Sequence, residues 1–227
     1  MDTRAITIAS MILLLAIGIG VGWGFQSTVA TSSGGTISAT VTSTVTKQSN
    51  LTEPFQVTLV ITTANIFNST IGDQPAFYVL TPQGLSSSAS ISLPAHRLIR
   101  LVIVNYDDGN ADLVSAADSN VTGTVNGTET FVSDANVNST QGSGGIVIRG
   151  GQTVSEVNSS MIAHTFTIPS LGINIPIPVS STVTTYIKID KTGTYLWFCE
   201  TACGGGLDGL GAAMARPGWM LGSTVVS

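Results

Sequence analysis

The alternation of hydrophobic and polar positions predicts a series of short β-strands from about residue 53 to the C-terminus. Runs such as FQVTLVITTA, RLIRLVIVNYD, VTTYIKI and GTYLWFC are separated by Gly, Pro and Asn residues, which favour turns. Helical periodicity is absent from this part of the sequence. We therefore expect residues 53–227 to form one all-β domain, either a sandwich or a barrel.

The N-terminal segment has a different pattern. Residues 5–25 (AITIASMILLLAIGIGVGWGF) carry no charge and are long enough to span a bilayer. Arg4 on the short leading side favours an orientation that places the rest of the chain outside the cell. We expect residues 1–26 to be a single-pass anchor in the cell membrane. A cleaved signal peptide is the alternative, because the following STVA offers small residues for processing.

Two further segments interrupt or precede the strand pattern. Residues 27–52 are rich in Ser, Thr and Gly, which predicts a flexible stalk. Residues 108–160 are rich in Asn, Ser, Asp and Gly, which predicts a glycosylated surface insertion, with a partner-binding surface as the alternative. The chain has six Asn-x-Ser/Thr sequons, which also favour an outward-facing domain: four lie in this insertion (Asn120, Asn126, Asn138 and Asn158), and the other two are at Asn50 and Asn68.

Charge and motif content exclude several classes of function. Only 9% of the residues are charged, the net charge is −5, and no run of Lys or Arg occurs, so we expect no nucleic-acid partner. No serine lies in a nucleophile elbow, and with only two histidines a catalytic triad is not expected.

Residues that could carry chemistry are concentrated near the C-terminus. The segment GTYLWFCETACGGGLDGLGAAMARPGWMLGSTVV contains two cysteines and two methionines, and sulfur is a soft ligand that suits copper. Upstream, MIAHTFTIPSLG contains one of the two histidines, His164. A Cys-x3-Cys segment outside the cell can also close as a disulfide, so the spacing alone does not decide between the two.

These segments resemble the copper-binding domain of cytochrome c oxidase subunit II, a member of the cupredoxin superfamily. That family carries a His-x-Phe/Trp-x-Val/Ile-Pro-x-Leu-Gly segment, a Cys-x3-Cys-Gly loop and a closing Met-x-Gly-x-x-Val-Val strand. HTFTIPSLG, CETACG and MLGSTVV match these three elements, and ISLPAHRLIRLVIVNYD resembles the turn and strand that precede them. The resemblance implies a cupredoxin-like Greek-key β-sandwich with a single N-terminal transmembrane helix.

The resemblance also implies a set of metal ligands. His164 matches the first imidazole ligand, and Cys199 and Cys203 match the two bridging thiolates. The family's backbone carbonyl ligand would be that of Thr201, and its thioether ligand would be Met220.

The chain departs from the family at the second histidine. Four residues after the second cysteine stands Leu207, and three residues before the aligned methionine stands Pro217. In the family each copper of a dinuclear site has its own imidazole, so the loss of one leaves a copper short of a ligand.

Three outcomes remain open for this site. Met214 or Met220 completes a mononuclear or asymmetric copper site, or His96 enters from another strand. Alternatively, no metal is bound and Cys199 and Cys203 form a disulfide.

The function implied by the resemblance is copper-dependent electron transfer to a respiratory terminal oxidase. The partners would be other subunits of a membrane complex and a soluble or membrane electron donor, and the chain would have no catalysis of its own. The alternative is a metal-free structural or docking subunit, or a glycosylated surface protein, on the same scaffold. A blue-copper carrier is a third possibility, although Gly204 stands where its second histidine would be.

Overall fold

The structure is a computed structural model that describes residues 53–133, 137–138, 147–148, 151–203 and 212–227. The chain divides into two compact units, Met1–Gln48 and Ser49–Ser227, and all of the described residues belong to the second. The anchor and stalk predicted for residues 1–52 lie outside the described residues and stay predictions. No helix in the described ranges is both long and apolar enough to cross a membrane.

The second unit is built from strands joined by turns and short 3-10 helices, which confirms the all-β prediction. The strands, numbered in chain order, are β1 (Phe55–Thr62), β2 (Ala76–Thr81), β3 (Gly84–Ser87), β4 (Ser90–Leu93), β5 (Leu98–Asn105), β6 (Glu129–Ser133), β7 (Val137–Asn138), β8 (Val147–Ile148), β9 (Gln152–Val154), β10 (Ile162–Ile168), β11 (Ile173–Pro178), β12 (Ser181–Lys188), β13 (Gly193–Phe198) and β14 (Leu221–Val226).

Two large sheets contain most of these strands. One has seven strands in the order β3-β2-β1-β5-β12-β6-β9, and the other has five in the order β11-β10-β13-β14-β4. β7 and β8 form a separate antiparallel pair. The pairs β1–β5 and β14–β4 are parallel, and the remaining pairs are antiparallel. Strands that are neighbours in a sheet are therefore often far apart in the sequence. The ends of such strands bring together residues from distant parts of the chain.

One cluster of buried side chains draws on both large sheets, so the sheets pack face to face. Alternate residues of β5 and β12 point into it, as the period of a strand requires. The largest buried side chains form an aromatic group in which the ring of Trp197 lies 5.1 Å from that of Phe77 and 5.4 Å from that of Phe166. The ring of Phe77 also lies 6.2 Å from that of His164, so the core reaches the predicted metal ligands.

The segment 108–160 differs from the surface insertion that its composition predicts. β6 pairs with β12 and β9 pairs with β6, so the segment extends the seven-stranded sheet. Its side chains Val121, Phe131 and Val157 are buried. The composition of the segment did not reveal that it packs on the core. A small number of apolar residues is enough for this packing when they occupy inward-facing positions. Glycosylation of the segment stays a prediction.

The same segment buries a carboxyl group. Glu129 shares the inward face of β6 with Phe131 and is 1% exposed. Neither of its side-chain oxygens has a hydrogen-bond partner among the described residues. Burial raises the pKa of Glu129 to about 8, because the anion would lose its hydration without gaining a partner. At neutral and acidic pH this side chain is therefore predominantly protonated.

This burial predicts an unusual dependence of stability on pH. Because the pKa is raised from 4.5 in an exposed carboxyl to about 8, the folded state holds the proton more tightly than the unfolded state. The stabilisation is complete below about pH 4.5 and is lost as the pH rises through about 8. Between pH 4.5 and 8.5 we expect the free energy of unfolding of the wild type to fall by about 4 kcal/mol more than that of Glu129→Gln.

Urea unfolding of the full chain, followed by tryptophan fluorescence at each pH, measures this difference. Glu53→Gln is the matched control, because Glu53 is exposed and its substitution should leave the pH dependence unchanged. Parallel pH profiles for the wild type and Glu129→Gln would contradict the prediction.

Candidate metal centre

Three of the predicted ligands meet where two neighbouring strands bring remote segments together. His164 lies in β10, Cys199 directly follows β13, and Cys203 lies in the loop that continues from it. β10 and β13 pair at Thr167 and Phe198, which places these segments side by side. The ligand atoms of the histidine and the two cysteines all lie within 4.8 Å of one another, and all three side chains are buried.

The sulfur of Cys199 lies at the middle of this group. It is 2.8 Å from the sulfur of Cys203 and 3.9 Å from Nδ1 of His164, and it accepts a hydrogen bond of 3.3 Å from the backbone N–H of Thr165. The sulfur of Met214 lies 3.6 Å from that of Cys203. The cluster therefore presents one imidazole nitrogen and three sulfur atoms.

Thr201 holds the loop between the two cysteines. Its hydroxyl donates a hydrogen bond of 2.9 Å to the carbonyl of Ala163 and lies 3.1 and 3.2 Å from the sulfurs of Cys199 and Cys203. Its carbonyl accepts the backbone N–H of Cys203 at 2.7 Å. The residue predicted to supply a carbonyl ligand is thus in the cluster. Its hydroxyl, which no sequence motif singled out, contacts both sulfurs.

Asp107, which follows β5, orients the imidazole. Its Oδ2 lies 3.1 Å from Nε2 of His164, so the other ring nitrogen, Nδ1, faces the sulfur of Cys199. Burial would lower the pKa of His164, but the hydrogen bonds and negative charges of Asp107 and Cys199 outweigh it and raise the pKa to about 9. Sequence reasoning missed Asp107 because the insertion separates it from His164.

The two thiols differ in acidity. Burial alone would raise the pKa of Cys199, but hydrogen bonds from Cys203 and His164 and the charge of the imidazolium lower it well below its usual range. Burial and the neighbouring Cys199 thiolate raise the pKa of Cys203. The hydrogen bonds and charges in the metal-free cluster therefore favour ionisation of Cys199 over that of Cys203.

The two methionines have different positions. Met220 is fully buried, its carbonyl accepts the backbone N–H of Cys199 at 2.9 Å, and its N–H donates to the carbonyl of Ala213 at 3.3 Å. Among the described residues, the thioether of Met214 contacts a thiol, that of Cys203. The backbone of Met220 thus supports the cysteine loop, while the side chain of Met214 faces it.

His96 does not reach the cluster. It precedes β5, whereas Asp107 follows the same strand, and a strand of this length separates its ends by about 25 Å. Its side chain is 68% exposed, and Nδ1 lies 3.5 Å from Oδ1 of Asp190. The suggestion that His96 enters the site is therefore wrong. Leu207, which stands at the position of the missing family histidine, lies outside the described residues.

A chain of buried hydrogen bonds supports the cluster from behind. The hydroxyl of Thr165 accepts the backbone N–H of Glu200 at 2.7 Å and lies 3.0 Å from the hydroxyl of Thr167, which donates to Oδ1 of Asn174 at 2.7 Å. The amide nitrogen of Asn174 donates to two carbonyls of the segment 108–160, at 3.0 and 2.8 Å. This chain joins that segment to the cysteine loop. No pattern in the sequence predicts these hydrogen bonds, because threonine in a strand is equally typical of a solvent-facing position.

A cavity of about 430 Å³ opens beside the cluster. Its lining includes residues 74–75 and 109–112 together with Asp107, His164 and Cys203. Among the described residues, this cavity leaves one side of the cluster open, while the aromatic core closes the other.

Comparison with known proteins gives low similarity. No family model and no curated protein matches the sequence. Among solved structures, a multicopper oxidase is 10% identical, with 76% of this chain and 44% of that chain covered and a TM-score of 0.34. Auracyanin B is 16% identical, with 77% and 91% covered and a TM-score of 0.33. The periplasmic domain of cytochrome oxidase subunit II (CoxB) of Bradyrhizobium japonicum is 12% identical, with 76% and 83% covered and a TM-score of 0.32.

The hydrogen-bond chain predicts a stability effect for Asn174. In Asn174→Ala the hydroxyl of Thr167 loses one of its two partners. The buried carbonyl of Asp118 and the part-buried carbonyl of Asn120 each lose a donor, so we expect a loss of about 3 kcal/mol in the free energy of unfolding. Urea unfolding of the metal-free full chain measures the loss. Gln83→Ala, an exposed substitution, is the control and should cost less than about 0.5 kcal/mol. Equal effects of the two substitutions would contradict a supporting role for Asn174.

Proposed function

We propose that this chain is a copper-binding, cupredoxin-like electron-transfer protein. The observation that carries the proposal is the convergence of Nδ1 of His164 with the sulfurs of Cys199 and Cys203, next to the thioether of Met214. Imidazole, thiolate and thioether are ligands that suit copper, and two packed sheets position them at the ends of strands. Thiolate and imidazole also suit zinc, so metal content is part of the test.

The donor set fits a single metal ion better than two. A dinuclear copper site of the kind that the sequence resembles has one imidazole for each metal, and the chain contains two histidines in all. One of them, His96, is exposed and paired with Asp190 at the other end of β5. We therefore propose a mononuclear site with His164, Cys199, Cys203 and Met214 as ligands.

Copper in this site would supply reversible one-electron chemistry. The protein's own groups prepare the site for it: Asp107 fixes the imidazole, Thr201 holds both sulfurs, and the aromatic core excludes water from one side. Ligands that are already held in place change little between oxidation states, which favours fast electron transfer.

The cellular setting is part of the same proposal. The charge-free segment at residues 5–25 and the motifs shared with oxidase subunit II support a membrane-anchored protein whose domain faces outward. It would receive electrons from a soluble or membrane donor and pass them to a terminal oxidase as part of a membrane complex.

Metal content and spectra of the full chain test the ligand set. Purified in detergent and loaded with copper, the wild type should hold one copper per chain, with thiolate charge-transfer absorption and a mononuclear EPR signal. His164→Ala and Cys203→Ser should each lower copper affinity at least about tenfold. The matched control His96→Ala should leave affinity and spectra unchanged, because His96 is remote from the cluster.

Two results would overturn this ligand set. Equal effects of His96→Ala and His164→Ala would show that the cluster does not hold the metal. Two coppers per chain with a seven-line EPR pattern would show a dinuclear site with a ligand that the described residues do not supply.

A metal-free scaffold is the second candidate function, and the 2.8 Å separation of the two sulfurs favours it. Oxidation of the pair would form one S–S bond and pass two electrons to an oxidant, with release of the thiol protons. The chain would then be a structural or docking subunit. Thiol titration of the metal-free, unreduced full chain under denaturing conditions separates the candidates. We expect two reactive thiols per chain. A result of no reactive thiols would favour the disulfide.

A further inference from the structure

The outer side of the five-stranded sheet carries an exposed leucine within a regular strand. Leu196 of β13 is 55% exposed, whereas the next residue, Trp197, is fully buried. Because side chains alternate along a strand, Thr194 and Phe198 lie on the same side as Leu196, and Trp197 points into the core. The exposed leucine is therefore part of a sheet surface rather than of a loop.

The neighbouring strands extend this surface. In the register of β13 and β14, Thr194 is opposite Val225, Leu196 is opposite Ser223 and Phe198 is opposite Leu221. β4 then places two serines beside Ser223 and Val225. Residues that are opposite each other on neighbouring strands share a face. This surface, called the β13–β14 face below, consists of Ser90, Ser92, Thr194, Leu196, Phe198, Leu221, Ser223 and Val225. None of these residues is charged.

The lack of charge distinguishes this face from exposed apolar residues on the other sheet. In the register of β5 and β12, Leu98 is opposite Lys188 and Tyr186 is opposite Arg100. Charged groups lose hydration when a surface is covered, and they are depleted at the centres of protein interfaces. The β13–β14 face can therefore be covered by a partner without burying a charge of its own strands.

Part of the same side of the sheet is already covered by the chain itself. Thr167 of β10 is opposite Phe198 and therefore shares its side of the sheet, but it is buried. Next to it, in β11, the amide of Asn174 donates to two carbonyls of the segment 108–160, at 3.0 and 2.8 Å. That segment thus covers β10 and β11, whereas Leu196 in the adjacent β13 stays exposed.

We propose that the β13–β14 face binds the same face of a second copy of this chain. The chain has a net charge of −5, so two copies repel each other at long range. A two-fold contact places a patch against itself, so a charge near the axis meets a charge of the same sign. A face without charge avoids this repulsion, and its hydroxyl groups can act both as donors and as acceptors.

The size of the face sets the expected strength of this contact. Three strands of about six residues form a surface of about 20 by 15 Å. This is at the small end of specific protein interfaces, so we expect a weak dimer that forms with increasing protein concentration. The proposal goes beyond the proposed function and does not depend on metal binding.

Analytical ultracentrifugation of the full chain in detergent tests for the dimer. After correction for bound detergent, the average mass of the wild type should rise with protein concentration toward that of two chains. Leu196→Asp should weaken the association at least about tenfold, because the dimer would bring new carboxylates together. The matched control Leu98→Asp changes a leucine that is 40% exposed on the other sheet, and it should leave the association unchanged.

Crosslinking in vesicles locates the contact. Ser223 lies in the middle strand of the face, so the Ser223 positions of two copies should approach each other. Ser223→Cys should therefore give crosslinked dimers with a short bismaleimide. The controls are Leu98→Cys and the wild type, whose Cys199 and Cys203 are buried, and both should stay monomeric.

Three results would overturn the proposal. They are a monomer at every concentration, equal association of Leu196→Asp and the wild type, and equal crosslinking of Ser223→Cys and Leu98→Cys. Copper content, measured in the same samples, reports on the metal centre separately. It should be the same in Leu196→Asp and the wild type, because Leu196 points away from the core.

Discussion

The hydrogen bond between Asp107 and the buried His164 links the two sheets at the end of the domain that carries the cluster. Asp107 follows β5 in the seven-stranded sheet, and His164 belongs to β10 in the five-stranded sheet. The carboxylate of Asp107 is largely shielded from water, with 17% of its side chain exposed, and the imidazole supplies a partner at 3.1 Å. In return the carboxylate occupies one ring nitrogen, so the other faces the sulfur of Cys199. The geometry of the cluster and the packing of the sheets therefore depend on the same contact.

The segment 108–160 is joined both to the larger sheet and to the hydrogen bonds behind the cysteine loop. Its strands extend the larger sheet through β12, and its backbone carbonyls receive the amide of Asn174. From Asn174 the hydrogen bonds continue through Thr167 and Thr165 to the backbone of Glu200, next to Cys199. Displacement of this segment would therefore affect the cysteine loop, although the segment supplies no sulfur or imidazole to the cluster.

Much of the fold and half of the site could be predicted from the sequence, for identifiable reasons. Period-2 alternation in runs such as RLIRLVIVN is a local signal, and it predicted strands that the structure contains. His164, Cys199 and Cys203 were found because their spacing matches a family motif, and the structure brings them together. Asp107 has no such signal, because its proximity to His164 arises from a contact between sheets rather than from spacing.

Other features depend on tertiary context in the same way. The contact between the thioether of Met214 and the sulfur of Cys203 depends on side-chain direction, which sequence spacing does not specify. Glu129 reads as a polar surface residue in a polar segment, and only the pairing of β6 with β12 turns it inward. The exclusion of His96 from the cluster likewise required the strand order, because its residue type alone does not show at which end of β5 it lies.

Among the described residues, Asp107, Asp108 and Asp112 lie at the end of β5 that carries the cluster, whereas Arg97 and Arg100 lie at the other end. These side chains contribute an electric dipole component along the strand. Such a dipole experiences a torque in the field of a charged partner, so the domain is turned before any contact is made. A partner with a positive surface would meet the end that carries the cluster more often than random collision allows. The fraction of productive encounters, rather than the strength of the final complex, would then set the rate of association, and added salt would lower it.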